Sequence, residues 1–148
     1  MKVAILGFGK EGKAVLKFLK KKYPKVQPTI LDQKTNNDYL ANLTAFDIVY
    51  RSPGVPYNFK EIQQAIKKGV KFSSATELFF KNAKGKIIGV TGTKGKGTTS
   101  TLIYRTLKNA GRDVYLAGNI GKPAIEILPR LTKKSITVLE LSSFQLQG

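Results

Sequence analysis

The chain has 148 residues, 41% of them hydrophobic and spread along its length, enough for a packed core and for one full domain or a small domain with part of a second. It contains no cysteine and no histidine, which excludes disulfides, thiolate metal sites and the commonest general base, so any metal must be held by oxygen. The formal charge is +17, but residues 1–84 hold 16 Lys+Arg against 6 Asp+Glu and residues 85–148 hold 10 against 3; this even spread disfavours a nucleic-acid module and favours anionic small ligands.

Short β-rich runs alternate with helical patterns almost to the end of the chain, the signature of an α/β fold with a mainly parallel sheet. No apolar stretch approaches about 18 residues and none resembles a secretory leader, so a soluble cytoplasmic protein is expected. Val3 to Leu6 read as the first strand. It runs into Gly7-Phe8-Gly9-Lys10-Glu11-Gly12 and then a helix, predicted from about Gly12 to Lys22 by the spacing of Ala14, Val15, Phe18 and Leu19 and closed by Pro24. In that context the glycines form a dinucleotide-type fingerprint. Gly7 permits a tight turn, Gly9 lets a pyrophosphate approach the backbone, Gly12 lets the helix pack on the sheet, and the helix N–H groups face the anion. Thr29 to Leu31 form a second strand ending in Asp32, 20 residues after Gly12, where an acid commonly accepts hydrogen bonds from a nucleotide. The pattern alone does not separate NAD from another pyrophosphate ligand. Asp47 to Tyr50 form a third strand stopped by the Ser52-Pro53-Gly54 turn, Phe59 to Lys68 an amphipathic helix ending at Gly69, and Val70 to Ser73 a fourth strand.

A second unit begins near Asn82-Ala83-Lys84-Gly85, after a helical Thr76 to Phe80 segment, so the domain boundary is expected between Lys84 and Gly85. Strands are predicted over Lys86 to Thr91, Asp113 to Leu116 and Ile136 to Leu141, with a helix from about Lys96 to Ala110. So few strands do not make a self-sufficient doubly wound sheet, and this domain is expected to be truncated. Between its first strand and its helix lies a second glycine loop, Gly89-Val90-Thr91-Gly92-Thr93-Lys94-Gly95-Lys96-Gly97-Thr98-Thr99. A strict phosphate-binding loop would have glycine at Val90 and a hydroxyl residue at Gly97. Gly95-Lys96 at the helix start still supplies the converging N–H donors and the ammonium that β- and γ-phosphates require.

Four stretches together resemble one family. Thr91-Gly92-Thr93-Lys94-Gly95-Lys96-Gly97-Thr98-Thr99 is similar to the TGTNGK[ST]T loop of the Mur ligase superfamily, whose members also lack glycine at the position of Val90. Ser52-Pro53-Gly54-Val55, Gly118-Asn119-Ile120-Gly121-Lys122-Pro123-Ala124 and Glu140-Leu141-Ser142-Ser143-Phe144-Gln145-Leu146 are similar to the SPG turn, the GNIGxPA segment and the ELSSFQL segment of its D-glutamate-adding branch. Sibling ligases differ at the last of these. The four run across the whole chain in the family's order and spacing.

The resemblance implies that residues 1–84 form a Rossmann-like parallel-sheet domain that binds UDP rather than NAD. Gly7, Phe8, Gly9, Lys10 and Glu11 would cradle the pyrophosphate, with Asp32, Gln33 and Lys34 at the uracil end and Gly54 on the same ligand. Asn119 and Gln145 would reach the muramoyl-alanine part of the substrate. Residues 85–148 would begin a P-loop α/β domain in which Gly92, Thr93, Lys94, Gly95, Lys96, Gly97 and Thr98 bind ATP, Lys96 at the γ-phosphate, and Glu140 coordinates Mg²⁺. Lys96 and Glu140 are the expected catalytic residues. Two positions depart from the family. Gly97 stands where a Ser or Thr hydroxyl meets Mg²⁺, so Thr98 or a water is expected as the replacement ligand, and Lys94 stands in place of Asn.

The implied reaction is ATP-dependent addition of D-glutamate to UDP-N-acetylmuramoyl-L-alanine through an acyl phosphate, in peptidoglycan synthesis. Another Mur-type amino-acid ligase, or an NAD-dependent oxidoreductase built on the first loop, is the alternative. The family's D-glutamate site lies beyond Gly148, so the chain alone is expected to be inactive, a monomer without nucleic-acid or membrane partners.

Overall fold

The computed structural model describes residues 1–145; Leu146 of the last motif lies outside them. Two compact units part at Glu77–Leu78, and both are α/β with parallel sheets, as the alternating patterns predict.

In the first unit β1 (Val3–Leu6) leads to α1 (Lys10–Lys22), β2 (Thr29–Leu31), β3 (Ile48–Arg51), α2 (Lys60–Lys67) and β4 (Lys71–Ser73). The strands are all parallel, in the order β2-β1-β3-β4. Every residue of β1 is buried, as befits a central parallel strand covered on both faces. Ala4, Leu6 and Val49 pack with Leu43, Val55, Ile62, Ala65 and Val70 in one core. Leu6 and Ile62 are wholly buried, each burial worth roughly 1.5–3 kcal/mol. Helix α1 turns Ala14, Val15 and Leu19 inward and ends in Lys20, Lys21 and Lys22, cations that complement its C-terminal dipole. It begins at Lys10, two residues before the expected start. The Gly9 carbonyl already accepts the Lys13 N–H at 3.0 Å, whereas apolar spacing registers only from the first inward side chain.

The crossover order sets where the sheet opens a crevice. The chain leaves β1 to one side for β2 and to the other for β3, so the C-terminal ends of β1 and β3 flank the point where strand order reverses, where open α/β sheets bind ligands.

The second unit contains β5 (Lys86–Val90), α4 (Lys96–Asn109), β6 (Val114–Gly118), α5 (Ala124–Ile127) and β7 (Ile136–Glu140), its parallel strands in the order β5-β7-β6. Thr137 to Glu140 of the central β7 are buried. Its core joins Ala117, Ile127, Leu131, Leu139 and Leu141 to Phe79, which is fully buried. Phe79 stands on α3 (Ala75–Asn82), a helix begun by a cap in which the Glu77 N–H donates to Ser74 Oγ at 3.1 Å. The expected boundary at Lys84–Gly85 falls in the turn after α3. The compact units part seven residues earlier, because the Phe79 side chain belongs to the second core. Helix α5 has no counterpart among the predicted elements, since a single turn is too short to show a period. No helix among the described residues is long and apolar enough to cross a membrane.

Candidate functional site

The first glycine loop leaves β1 in a left-handed step at Gly7, φ +86°, whose N–H donates to the Leu31 carbonyl at 2.8 Å. Ser52, opening the SPG turn after β3, donates its Oγ to the Gly7 carbonyl at 2.7 Å and its N–H to the Leu6 carbonyl at 2.8 Å. The loops after β1 and β3 are thus bound to each other at the reversal point. A Cβ on Gly12 would stand 2.3 Å from the Gly7 oxygen, so the start of α1 is pressed onto the turn. Gly9 differs: its φ is −76° and nothing lies within 4 Å of where its Cβ would be. The fold does not need a glycine there. The open space lies over the start of α1, whose first N–H groups have no intrahelical acceptor and which carries no side-chain cap, the arrangement that receives an anion.

Asp32, at the end of β2, turns both carboxylate oxygens onto backbone. Its Oδ2 accepts the Phe8 N–H at 2.5 Å and its Oδ1 the Lys34 N–H at 2.9 Å. The Phe8 N–H, and after it the Lys34 N–H, holds the carboxyl below its ordinary value of 3.8. The Phe8 N–H is therefore committed to Asp32, and the donors left for a ligand come from the helix start. Gln33 and Lys34 are exposed beside it, and Gly54 is exposed with open space around its α-carbon. Arg51, which the sequence reading passes over, ends β3 at 8% exposure. It donates through Nη1 to the Val55 carbonyl at 2.6 Å and lies 5.1 Å over the Tyr57 ring, bracing the SPG turn from within; burial pulls its guanidinium below its ordinary value. A charge closing an apolar strand directly before a turn was the available signal.

In the second unit Val90, Glu140 and Gly118 stand in register across the sheet. The phosphate-type loop, Glu140 and the Gly118-Asn119 loop consequently leave the C-terminal edge side by side. The Leu141 N–H donates to the Val90 carbonyl at 3.0 Å and the Asn119 N–H to the Glu140 carbonyl at 3.2 Å. Gly118, at φ +110°, has no room for a side chain, since a Cβ would meet the Glu140 carbonyl oxygen at 2.1 Å. Within the loop Gly92 and Gly95 take φ of +150° and +76°, and the Gly95 carbonyl accepts the Thr99 N–H at 2.9 Å to start α4. Lys96 folds its Nζ onto the Gly92 carbonyl at 2.8 Å. Thr93, Lys94 and Thr98 are exposed.

Glu140 is 5% exposed, and its buried Oε2 has no hydrogen-bond partner among the described residues. A Cβ on Gly97 would lie 3.5 Å from that oxygen. The structure thus brings Gly97 to Glu140, and Gly97 and Thr98 together line an open depression of about 580 Å³ with Thr101, Leu102, Arg105 and Ile120. A buried acceptor without a donor costs about 1–3 kcal/mol, and a cation in the adjoining loop would supply what the oxygen lacks. The hard carboxylate suits Mg²⁺. No cluster of three or more His, Cys, Asp or Glu side chains among the described residues is arranged to hold a metal, so phosphates and water would complete such a shell. Gln145 accepts the Ser142 N–H at 2.9 Å and lies 3.2 Å from Ser142 Oγ through Oε1. Backbone donors, one ammonium and one unpartnered carboxylate oxygen at a sheet edge suit phosphoryl transfer by positioning and charge neutralisation.

No family model matches the chain. It is 44% identical over 109 residues to the "UDP-N-acetylmuramoylalanine--D-glutamate ligase" of Symbiobacterium thermophilum, a match taking in 74% of this chain and 24% of that protein. The protein of the same name from Ligilactobacillus salivarius is 36% identical over 168 aligned positions, 99% of this chain and 36% of its own length. The chain thus spans between about a quarter and a third of these curated relatives. Among solved structures, a murein peptide ligase from Psychrobacter arcticus shares the fold, with a TM-score of 0.50 at 18% identity over 97% of this chain and 39% of that one. With sequence likeness to such relatives running along almost its whole length and the same fold in a solved ligase, the chain belongs to the Mur ligase family.

Proposed function

We propose that this chain carries the UDP-substrate site and the phosphate-binding part of the ATP site of a ligase that adds D-glutamate to UDP-N-acetylmuramoyl-L-alanine in peptidoglycan synthesis. The observation that carries the reading is the unpartnered Oε2 of Glu140 facing Gly97 of the phosphate-type loop, in register with the Gly118-Asn119 loop. In the reaction the γ-phosphoryl group of ATP passes to the substrate carboxylate, releasing ADP. The amine of D-glutamate then attacks the acyl phosphate, forming the amide and expelling phosphate.

Each residue has a role in this reading. Lys96 exchanges its contact with the Gly92 carbonyl for the γ-phosphate, and Gly92 to Thr98 wrap the remaining phosphate oxygens. Glu140 and Thr98 would hold Mg²⁺, which would supply charge neutralisation to the phosphates. Gly7 to Glu11 receive the diphosphate of the UDP-sugar, with Asp32 acting through the Phe8 N–H it holds. Gln33, Lys34 and Gly54 border the nucleoside, and Asn119 and Gln145 reach the muramoyl-alanine end. The proposed setting is the cytoplasm, with the protein acting as a monomer and without nucleic acid.

Equilibrium binding of UDP-N-acetylmuramoyl-L-alanine, UDP, NADH and a short DNA duplex tests this. The UDP ligands should bind, and NADH and the duplex should not. Tighter binding of NADH than of UDP would overturn the assignment.

A further inference from the structure

Resting on the nucleotide reading of the second loop, we propose that Lys94 is a second phosphate ligand that replaces part of the metal's charge, so that this loop holds ATP without a divalent cation.

In a phosphate-binding loop the residue after the lysine ordinarily brings a hydroxyl to Mg²⁺. Here that residue is Gly97. A Cβ on it would be 3.5 Å from Glu140 Oε2, so a serine hydroxyl would stand beside the carboxylate, and the glycine supplies none. Thr98, the next hydroxyl, is exposed on the open depression that Gly97 also lines, and no group of three or more His, Cys, Asp or Glu side chains gathers to hold a metal among the described residues. The protein's own hold on a metal is then one buried carboxylate and one exposed hydroxyl, that of Thr98. Mg²⁺ so held keeps most of its water and contributes less binding to the nucleotide.

The same loop carries an additional cation. Lys94 is exposed, two positions before Lys96, with Gly95 at φ +76° turning the chain between them. Cα atoms two residues apart lie within about 7 Å, so both ammonium groups reach a single polyphosphate. Lys96 Nζ already lies against the loop, on the Gly92 carbonyl at 2.8 Å. The charge that one lysine and a metal usually share is met here by two lysines and the N–H groups at the start of α4. Residues 85–148 add 10 basic against 3 acidic side chains, which strengthens the field around the loop.

ATP affinity of the full chain, measured with excess UDP present to fill the first loop, tests the inference in EDTA and in Mg²⁺. The parent should bind ATP in EDTA within about threefold of its affinity in Mg²⁺, and Lys94→Asn should lose about tenfold in EDTA and much less in Mg²⁺. Lys133→Asn removes an exposed lysine just before the opposite end of β7 and should change neither value, which separates a phosphate contact from overall charge. Gly97→Ser should raise affinity more in Mg²⁺ than in EDTA. A parent that binds ATP only with Mg²⁺, or equal losses in Lys94→Asn and Lys133→Asn, would overturn this inference alone. No ATP binding under either condition would overturn the nucleotide reading and this inference with it.

Discussion

Glu140 turns its unpartnered Oε2 toward Gly97, 3.5 Å from the point where a β-carbon would stand. One residue ends the central strand of its sheet and the other lies in the first turn of α4, so the loop and the carboxylate share one small space. That separation is ordinary van der Waals contact. Gly97→Ser should therefore fold, and because glycine costs a helix roughly 0.5–1 kcal/mol, its thermal midpoint should equal or exceed the parent's. A clear fall in the midpoint would mean that the loop is tighter around Glu140 than described.

The first loop separates a packing glycine from one that leaves room for a ligand. Gly12→Ala would place a methyl 2.3 Å from the Gly7 oxygen, and such overpacking should destabilise the first unit by about 1–3 kcal/mol. A β-carbon at Gly9 meets nothing within 4 Å, so the unfolding midpoint of Gly9→Val in urea should match the parent's while UDP binding is abolished. If Gly9→Val still bound UDP as tightly as the parent, the diphosphate would have to lie elsewhere.

Much of this architecture was legible because it is local. Val3–Leu6 and Thr29–Leu31 are strands over the residues read from the sequence, since short apolar runs bounded by glycine or a turn declare themselves. The close packing at Gly12 follows from its distance along the chain from Gly7, five residues away. What stayed hidden was long-range. Ser52 meets Gly7 across 45 positions, and Gly118 is a glycine because the Glu140 carbonyl lies against it, a contact that depends on strand order. The direction of Asp32 was equally hidden. Position marked it as an acceptor, but only the fold shows that its two acceptor oxygens serve Phe8 and Lys34 rather than standing open. Helix α3 hides its division for a related reason, since Phe79 joins the second core only when β6 and β7 are in place.

Asp32 gives a prediction in pH. Its folded-state value is lowered, by the Phe8 N–H first and the Lys34 N–H second. Its contribution to the loop is therefore fully present above the ordinary value of 3.8 and is lost as pH falls through the lowered folded value. A carboxyl ¹³C titration should place the Asp32 midpoint below 3.8. Asp32→Ala should weaken UDP binding at neutral pH by releasing the Phe8 N–H from its set position, with the sheet intact. A midpoint at or above the ordinary value would show that the two N–H contacts do not persist in solution.

The last prediction sets stability against function at Glu140. A carboxylate oxygen buried without a donor costs the fold about 1–3 kcal/mol, and Glu140 is only 5% exposed with Oε2 in that condition. Glu140→Gln keeps the shape and the backbone contacts to Leu141 and Asn119, which use main-chain atoms, and replaces the hard anionic ligand with an amide. In the absence of metal the variant should be at least as stable as the parent by thermal denaturation, since no hydrogen bond of Oε2 is there to lose. Its nucleotide affinity in EDTA should not fall, because the two lysines and the N–H groups of the loop remain and a negative charge beside the phosphates is removed. The increment in ATP affinity brought by Mg²⁺ should disappear. A residue kept for packing would behave the other way, losing stability on substitution and leaving the metal response untouched. The two measurements on this one variant therefore decide whether Glu140 serves the fold or the metal.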